Sequence, residues 1–205
     1  MKEKITNIDV KDEIFKEAVK LFLQKGYQGT SIQDITDAVN ISKGAFYWHF
    51  KSKTKLLETI IEEFDKVFLD SLIATVEGTE GDFTKKFKVS HKYASEFAYN
   101  NRDLCVGFVT LSAEFAGSGT EIDEKLKTVS VKFVRYFRRL LEIGKQEGRI
   151  RPDIDPKVTA HVIMDLHHGS LLVWYMNVEG VDGKSLAKAF RDIALWGILR
   201  QEDKE

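Results

Sequence analysis

Apolar residues recur every three to four positions along most of this chain, and the breaks between stripes divide it into about nine helical segments. The first stripe, Ile14, Ala18, Leu21 and Phe22, predicts an amphipathic helix over 12–25. In the second, Ile32, Ile35 and Val39 share a face, Ser31 stands at the N-cap, and Asp34 has capping-box spacing. Asn40 follows where the chain must turn, Ser42 can cap again, and 43–49 leaves room for a helix of only about two turns. A further stripe begins at Ser52 with Leu56, Ile60, Phe64, Val67, Phe68 and Leu72, more than a small three-helix cluster can cover. Glycine-rich breaks at 78–82, 117–120 and 180–183, and a junction holding Pro152 and Pro156, separate the later helices. No strand-like alternation and no internal repeat is present. The predicted fold is all-α, with a helix-turn-helix domain over 1–55 and a larger helical domain over 56–205.

Two short capped helices around a tight turn form the layout of a DNA reader, in which the second helix enters the major groove. Charge supports it. The chain carries a formal net charge of -1, yet 40–57 holds Lys43, Lys51, Lys53, Lys55 and His49 with no acid. Glu58, Glu62, Glu63, Asp65 and Asp70 follow at once, so positive charge is concentrated at the turn, as phosphate binding requires. Phe46 and Phe50, at i and i+4, share a packing face, which aims Tyr47 and Trp48 elsewhere.

The run from Phe15 to Leu57 resembles the DNA-binding domain of the tetracycline-repressor (TetR) family. Gly26-Tyr27 ends the first helix, Thr30-Ser31 opens the second, Ser42 to Phe50 matches Ser-x-Gly-x-x-Tyr-x-His-Phe, and Lys53 starts the fourth helix. Thr36 and Asn40 depart from the family's usual Ala and Gly, and neither threatens the fold. The resemblance implies a one-component transcriptional repressor. In that reading Lys43 and Gly44 approach bases, Tyr47 touches a thymine methyl or a phosphate, and Thr30, Ser42, Trp48, His49 and Lys53 hold phosphates. It also implies a homodimer through helices at about 156–178 and 184–200, which places two readers about 34–36 Å apart on a palindromic operator in double-stranded DNA. Gly169 and Gly197 in those helices suit close approach of another helix.

The family usually encloses a small inducer in the larger domain, so an apolar or aromatic ligand is expected here. Candidate lining residues are Phe87, Phe97, Phe108, Thr110, Glu114, Phe133, Phe137, His167 and Trp174. A helix leading from the reader into that domain suggests a lever that re-aims the reader when ligand binds. His161, Asp165 and His168 share one helix face, which supplies three metal ligands awkwardly, and no metal or cofactor is expected. With no nucleophile elbow, phosphate loop or paired-cysteine motif, an enzyme is not expected. The apolar runs are too short to span a bilayer and the N-terminus lacks a signal-peptide core, so a cytoplasmic protein is expected. The single cysteine, Cys105, excludes an intrachain disulfide and reads as packing. A helical ligand-binding or interaction module without a specific operator is the alternative reading.

Overall fold

The computed structural model describes residues 7–200. Among them are nine helices and no strand, save an isolated bridge between Ile150 and Leu199. The helices are α1 (Asn7–Lys25), α2 (Ile32–Val39), α3 (Lys43–His49) and α4, which runs over Lys53–Phe64, a π-helical stretch Asp65–Asp70 and Ser71–Glu77. There follow α5 (Phe83–Asn100), α6 (Arg102–Phe115), α7 (Glu121–Gln146), α8 (Pro156–Met176) and α9 (Gly183–Ile198). Side-chain caps start several of them: Asp82 accepts from the Lys85 amide, Asp155 from Lys157 and Val158, and Asp182 from Lys184 and Ser185. Pro156 opens α8, where its missing N–H costs no helical bond.

The chain forms two compact units: one of the residues up to Phe64 with Asp103–Leu126, the other of Asp65–Arg102 with the residues from Lys127 onward. In the first, Ile14, Ala18 and Phe22 of α1, Ile35 of α2 and Phe46 of α3 are buried with Leu56, Ile60 and Phe64 of α4. Phe64 stacks on Phe108 of α6 at 4.3 Å between centroids. A Cβ on Gly107 would already touch Val19, so α6 passes closely over α1. This unit extends beyond 1–55 because the apolar face of α4 up to Phe64 is consumed in covering the N-terminal helices. The second unit buries Phe83 and Phe87 of α5, Phe133, Phe137 and Leu141 of α7, and Phe190 of α9. Gly144 is required there, since a Cβ would lie 2.6 Å from the Phe83 ring.

Val67 departs from the expected α4 stripe and is 38% exposed. The π-helical stretch explains it. Its i→i+5 bonding rotates each residue by less than the roughly 100° of an α-helix, so Phe68 and Leu69 take the buried side and Val67 turns outward. Lys132 holds both ends of this stretch, 2.6 Å from Asp65 and 2.7 Å from Asp70. Among the described residues no helix is long and apolar enough to cross a membrane.

Candidate nucleic-acid interface

Local hydrogen bonds build the α2–turn–α3 unit as its sequence predicts. The Ser31 hydroxyl accepts from the Asp34 amide at 3.0 Å, and Asp34 Oδ2 accepts from the Ser31 amide at 2.8 Å and from its hydroxyl. Lys25 donates to Asp34 Oδ1 at 2.6 Å; that bond first, then those from Ser31, holds the carboxyl far below its ordinary pKa. Asn40 ends α2 in the left-handed region at φ 57°, and its N–H turns back to the Asp37 carbonyl. Ser42 then caps α3 by accepting from the Ala45 amide at 3.1 Å.

On α3, Phe46 and Phe50 face the core while Lys43, Gly44, Tyr47 and Trp48 face outward. Tyr47 leans edge-on against Phe46 at 5.6 Å and remains 51% exposed; Trp48 meets the partly exposed His49 ring and is 69% exposed. Burial, helped by nearby Lys11, lowers the His49 pKa, so the ring is neutral at pH 7. Lys43 and Lys51 are exposed without an ion-pair partner among the described residues, whereas Lys55 is paired with Glu58 at 2.8 Å. The outward side of α3 and the residues just after it therefore present two lysines, aromatic surface and one glycine. Such a surface suits phosphates and base edges.

Two expected phosphate contacts need correction. Thr30 is 1% exposed and its hydroxyl donates to the Gly26 carbonyl at 2.8 Å, so it is turned away from solvent. Lys53 donates to the carbonyls of Tyr27 at 2.7 Å and Thr30 at 2.6 Å, with its ammonium 4.1 Å from the Tyr27 ring centre. Burial lowers its pKa, against the attraction of Glu114 and Asp34. Lys53 thus fastens the α1–α2 connection to the start of α4. Lys53→Met is expected to lower stability by about 1.5–3 kcal/mol, the range for hydrogen bonds to a charged group. Equilibrium urea unfolding checks this, and unchanged stability would return Lys53 to a purely DNA-contacting role.

The residues proposed for a ligand fall into two groups. In the first unit Phe108 stacks on Phe64, Thr110 donates to the carbonyls of Val106 and Gly107, and Glu114 accepts from the amides of Tyr27 at 3.0 Å and Gln28 at 3.2 Å. Glu114 is therefore corrected from an acid awaiting a ligand to a cap on the chain leaving α1. In the second unit Phe133, Phe137 and His167 meet, with His167 5.6 Å from Phe133 and 5.7 Å from Phe137. Phe87 joins through Phe137, and Phe97 through Phe68, while Trp174 stacks apart on Tyr99. His91 and Phe190 complete this cluster and were not anticipated. The signal for His91 was present: Phe83, Phe87 and Ala94 lie on the buried side of α5, and His91 falls on that same face. His161 is exposed with a ring nitrogen 2.8 Å from the Lys157 carbonyl, and no group of three metal-binding side chains occurs among the described residues.

The family model for bacterial regulatory proteins of the tetR family matches residues 14–60. The chain is 25% identical over 200 residues to the HTH-type transcriptional repressor KstR2 of Mycolicibacterium smegmatis, covering 94% of this chain and 92% of that protein. It is 26% identical over 209 residues to the probable acrEF/envCD operon repressor of Escherichia coli, covering 96% and 90%. The solved structure of the MbdR regulator from Azoarcus sp. CIB matches with a TM-score of 0.84 and 25% identity, over 93% of this chain and 100% of that one.

Proposed function

We propose that the chain is a DNA-binding transcriptional repressor of the tetR family of bacterial regulatory proteins, gripping a palindromic operator as a homodimer and released by a small ligand; the family model matched over 14–60 and the likeness to repressors along nearly the whole chain support this reading. In this reading 1–55 reads DNA and 56–205 binds ligand and dimerises. The protein works in the cytoplasm, where its DNA is, and catalyses nothing. Ser42, Lys43, Gly44, Tyr47, Trp48 and His49 form the DNA surface.

Gly44 carries this reading. It lies in the first turn of a helix, and within helices glycine is disfavoured, by about 0.5–1 kcal/mol relative to alanine at interior positions. Nothing among the described residues demands it, since a Cβ there would meet only the Ser42 hydroxyl beyond its own helix backbone and chain neighbours, at an ordinary 3.6 Å. The space it leaves faces outward beside Lys43 and Tyr47, which suits close approach of a duplex. Gly44→Ala is therefore expected to act in opposite directions on two measurements. Stability to urea should rise, by at most about the 0.5–1 kcal/mol of an interior position, while affinity for a footprinted operator falls. Equal or tighter operator binding by the variant would remove DNA as the reason for this glycine.

Dimerisation is supported by what α8 and α9 leave uncovered. Val158, Val162, Val173 and Met176 of α8 and Ile193 and Trp196 of α9 are exposed apolar side chains, which the matching helices of a second copy would cover. Beyond their own helix backbone and chain neighbours, Gly169 and Gly197 have no atom of the described residues within 4 Å of a Cβ position, leaving room for a second copy's helices.

A further inference from the structure

His91 is one of four residues of the second unit with a buried polar side-chain atom that packing leaves unsatisfied among the described residues, and its ring is set against those of Phe190 and His167. It is 6% exposed on the inner side of α5, and its Nε2 has no hydrogen-bond partner among the described residues. The other ring nitrogen favours one tautomer. Ser95 Oγ gives its proton to the His91 carbonyl at 2.8 Å, so the 3.4 Å contact between Ser95 Oγ and Nδ1 can be bonded only by an Nδ1–H donating to the oxygen. Burial, with Arg191 nearby and Asp192 opposing it, depresses the His91 pKa to about 4, so the ring is neutral at pH 7. Nε2 is then a bare acceptor, and such a buried orphan is costly to keep.

Its surroundings are aromatic. Phe190 lies edge-on to His91 at 5.0 Å, and the His167 ring is 6.1 Å away, itself edge-on to Phe190 at 4.6 Å and set against Phe133 and Phe137. Burial holds His167 neutral too. The residues in ring contact include no acid, lysine or arginine; the neighbouring Arg191 and Asp192 are bonded to each other at 2.7 Å. A charged ligand would find no counter-charge among these rings and would bear the full cost of desolvation. Ser90 and Tyr136, each one position before a member of the cluster, bury further hydroxyls without a well-formed bond, although the serine lies close enough to oppose the rise that burial causes in the phenol's pKa.

We propose that the rings around His91 part to admit an uncharged, flat apolar ligand bearing a hydroxyl, which donates its proton to His91 Nε2. The proposal deepens the ligand-released reading and rests on it only for the consequence at DNA. Three probes of one shape isolate the chemistry: 1-naphthol, naphthalene and 1-naphthoate, each titrated calorimetrically into the full-length protein without DNA. The naphthol is expected to bind about tenfold more tightly than naphthalene, the worth of one buried hydrogen bond, and the naphthoate to bind least. His91→Phe, an aromatic of similar size, should bring the naphthol down to the naphthalene level, and His91→Gln, which still offers an acceptor, should keep part of the preference. Equal binding of all three, strongest binding of the naphthoate, binding of none, or an undiminished preference in His91→Phe would each overturn the proposal. The wild-type ordering alone suffices, so the test survives a variant that does not fold. Naphthol binding of the expected pattern that leaves operator affinity unchanged would uphold the site and overturn ligand release instead.

Discussion

Tyr47→Ala is expected to weaken operator binding by about 10- to 100-fold, the equivalent of about 1–3 kcal/mol for a lost base contact, while the protein stays folded. Tyr47 is half outside the core, and its one ring contact among the described residues is an edge-on approach to Phe46. Removing that contact costs about 0.5–1.5 kcal/mol of stability, too little to unfold the first unit. The two effects separate in two measurements: anisotropy of a labelled operator duplex for affinity, and urea unfolding for stability. Because Phe46 and Phe50 anchor α3 from the opposite side, the backbone that carries Lys43 and Gly44 should remain in place. Wild-type affinity in the variant would take Tyr47 off the DNA surface.

Ile193→Asp is expected to have a larger effect from outside the reader altogether. Ile193 is 69% exposed on α9, beside the open face of Gly197. In a two-fold dimer the same patch meets itself, so each substitution places two carboxylates in an apolar contact. Burying them unpaired costs several kcal/mol. The variant should sediment as a monomer at concentrations where the wild type is a dimer. Its operator affinity should fall by well over about 100-fold, since one reader alone keeps only half the contacts. Its helix-turn-helix should be unaltered, because Ile193 lies in the other compact unit. A dimeric variant, or a monomeric one with full affinity, would contradict the assignment of α8 and α9 to dimerisation.

The helix-turn-helix was legible because its determinants are local. Ser31 with Asp34, Asn40, and Ser42 with Ala45 act over three or four residues, so capping chemistry locates α2, the turn and α3 without tertiary information. The misjudged residues are those whose partners lie far along the chain. Lys53 reaches carbonyls 23 and 26 residues away, and Glu114 reaches amides 86 and 87 residues away. No spacing rule announces either bond. Val67 was misplaced for another reason: a period of 3.6 residues was carried through a stretch that winds as a π-helix, held at both ends by Lys132. The aromatic cluster was half legible. Phe133, Phe137 and His167 could be named from composition and periodicity, but Phe190 and His91 join them only once α5 and α9 are packed.

Specific recognition of DNA is tested most directly by footprinting the DNA upstream of the protein's own and adjacent genes, then titrating the protected segment across salt against unrelated duplex. Protection of a palindrome is expected, with affinity falling steeply as salt rises and unrelated DNA bound at least about a thousandfold more weakly. Equal, weak binding to every duplex would contradict it, leaving only the attraction of a lysine-rich surface for phosphate and favouring a helical ligand-binding module with no operator of its own.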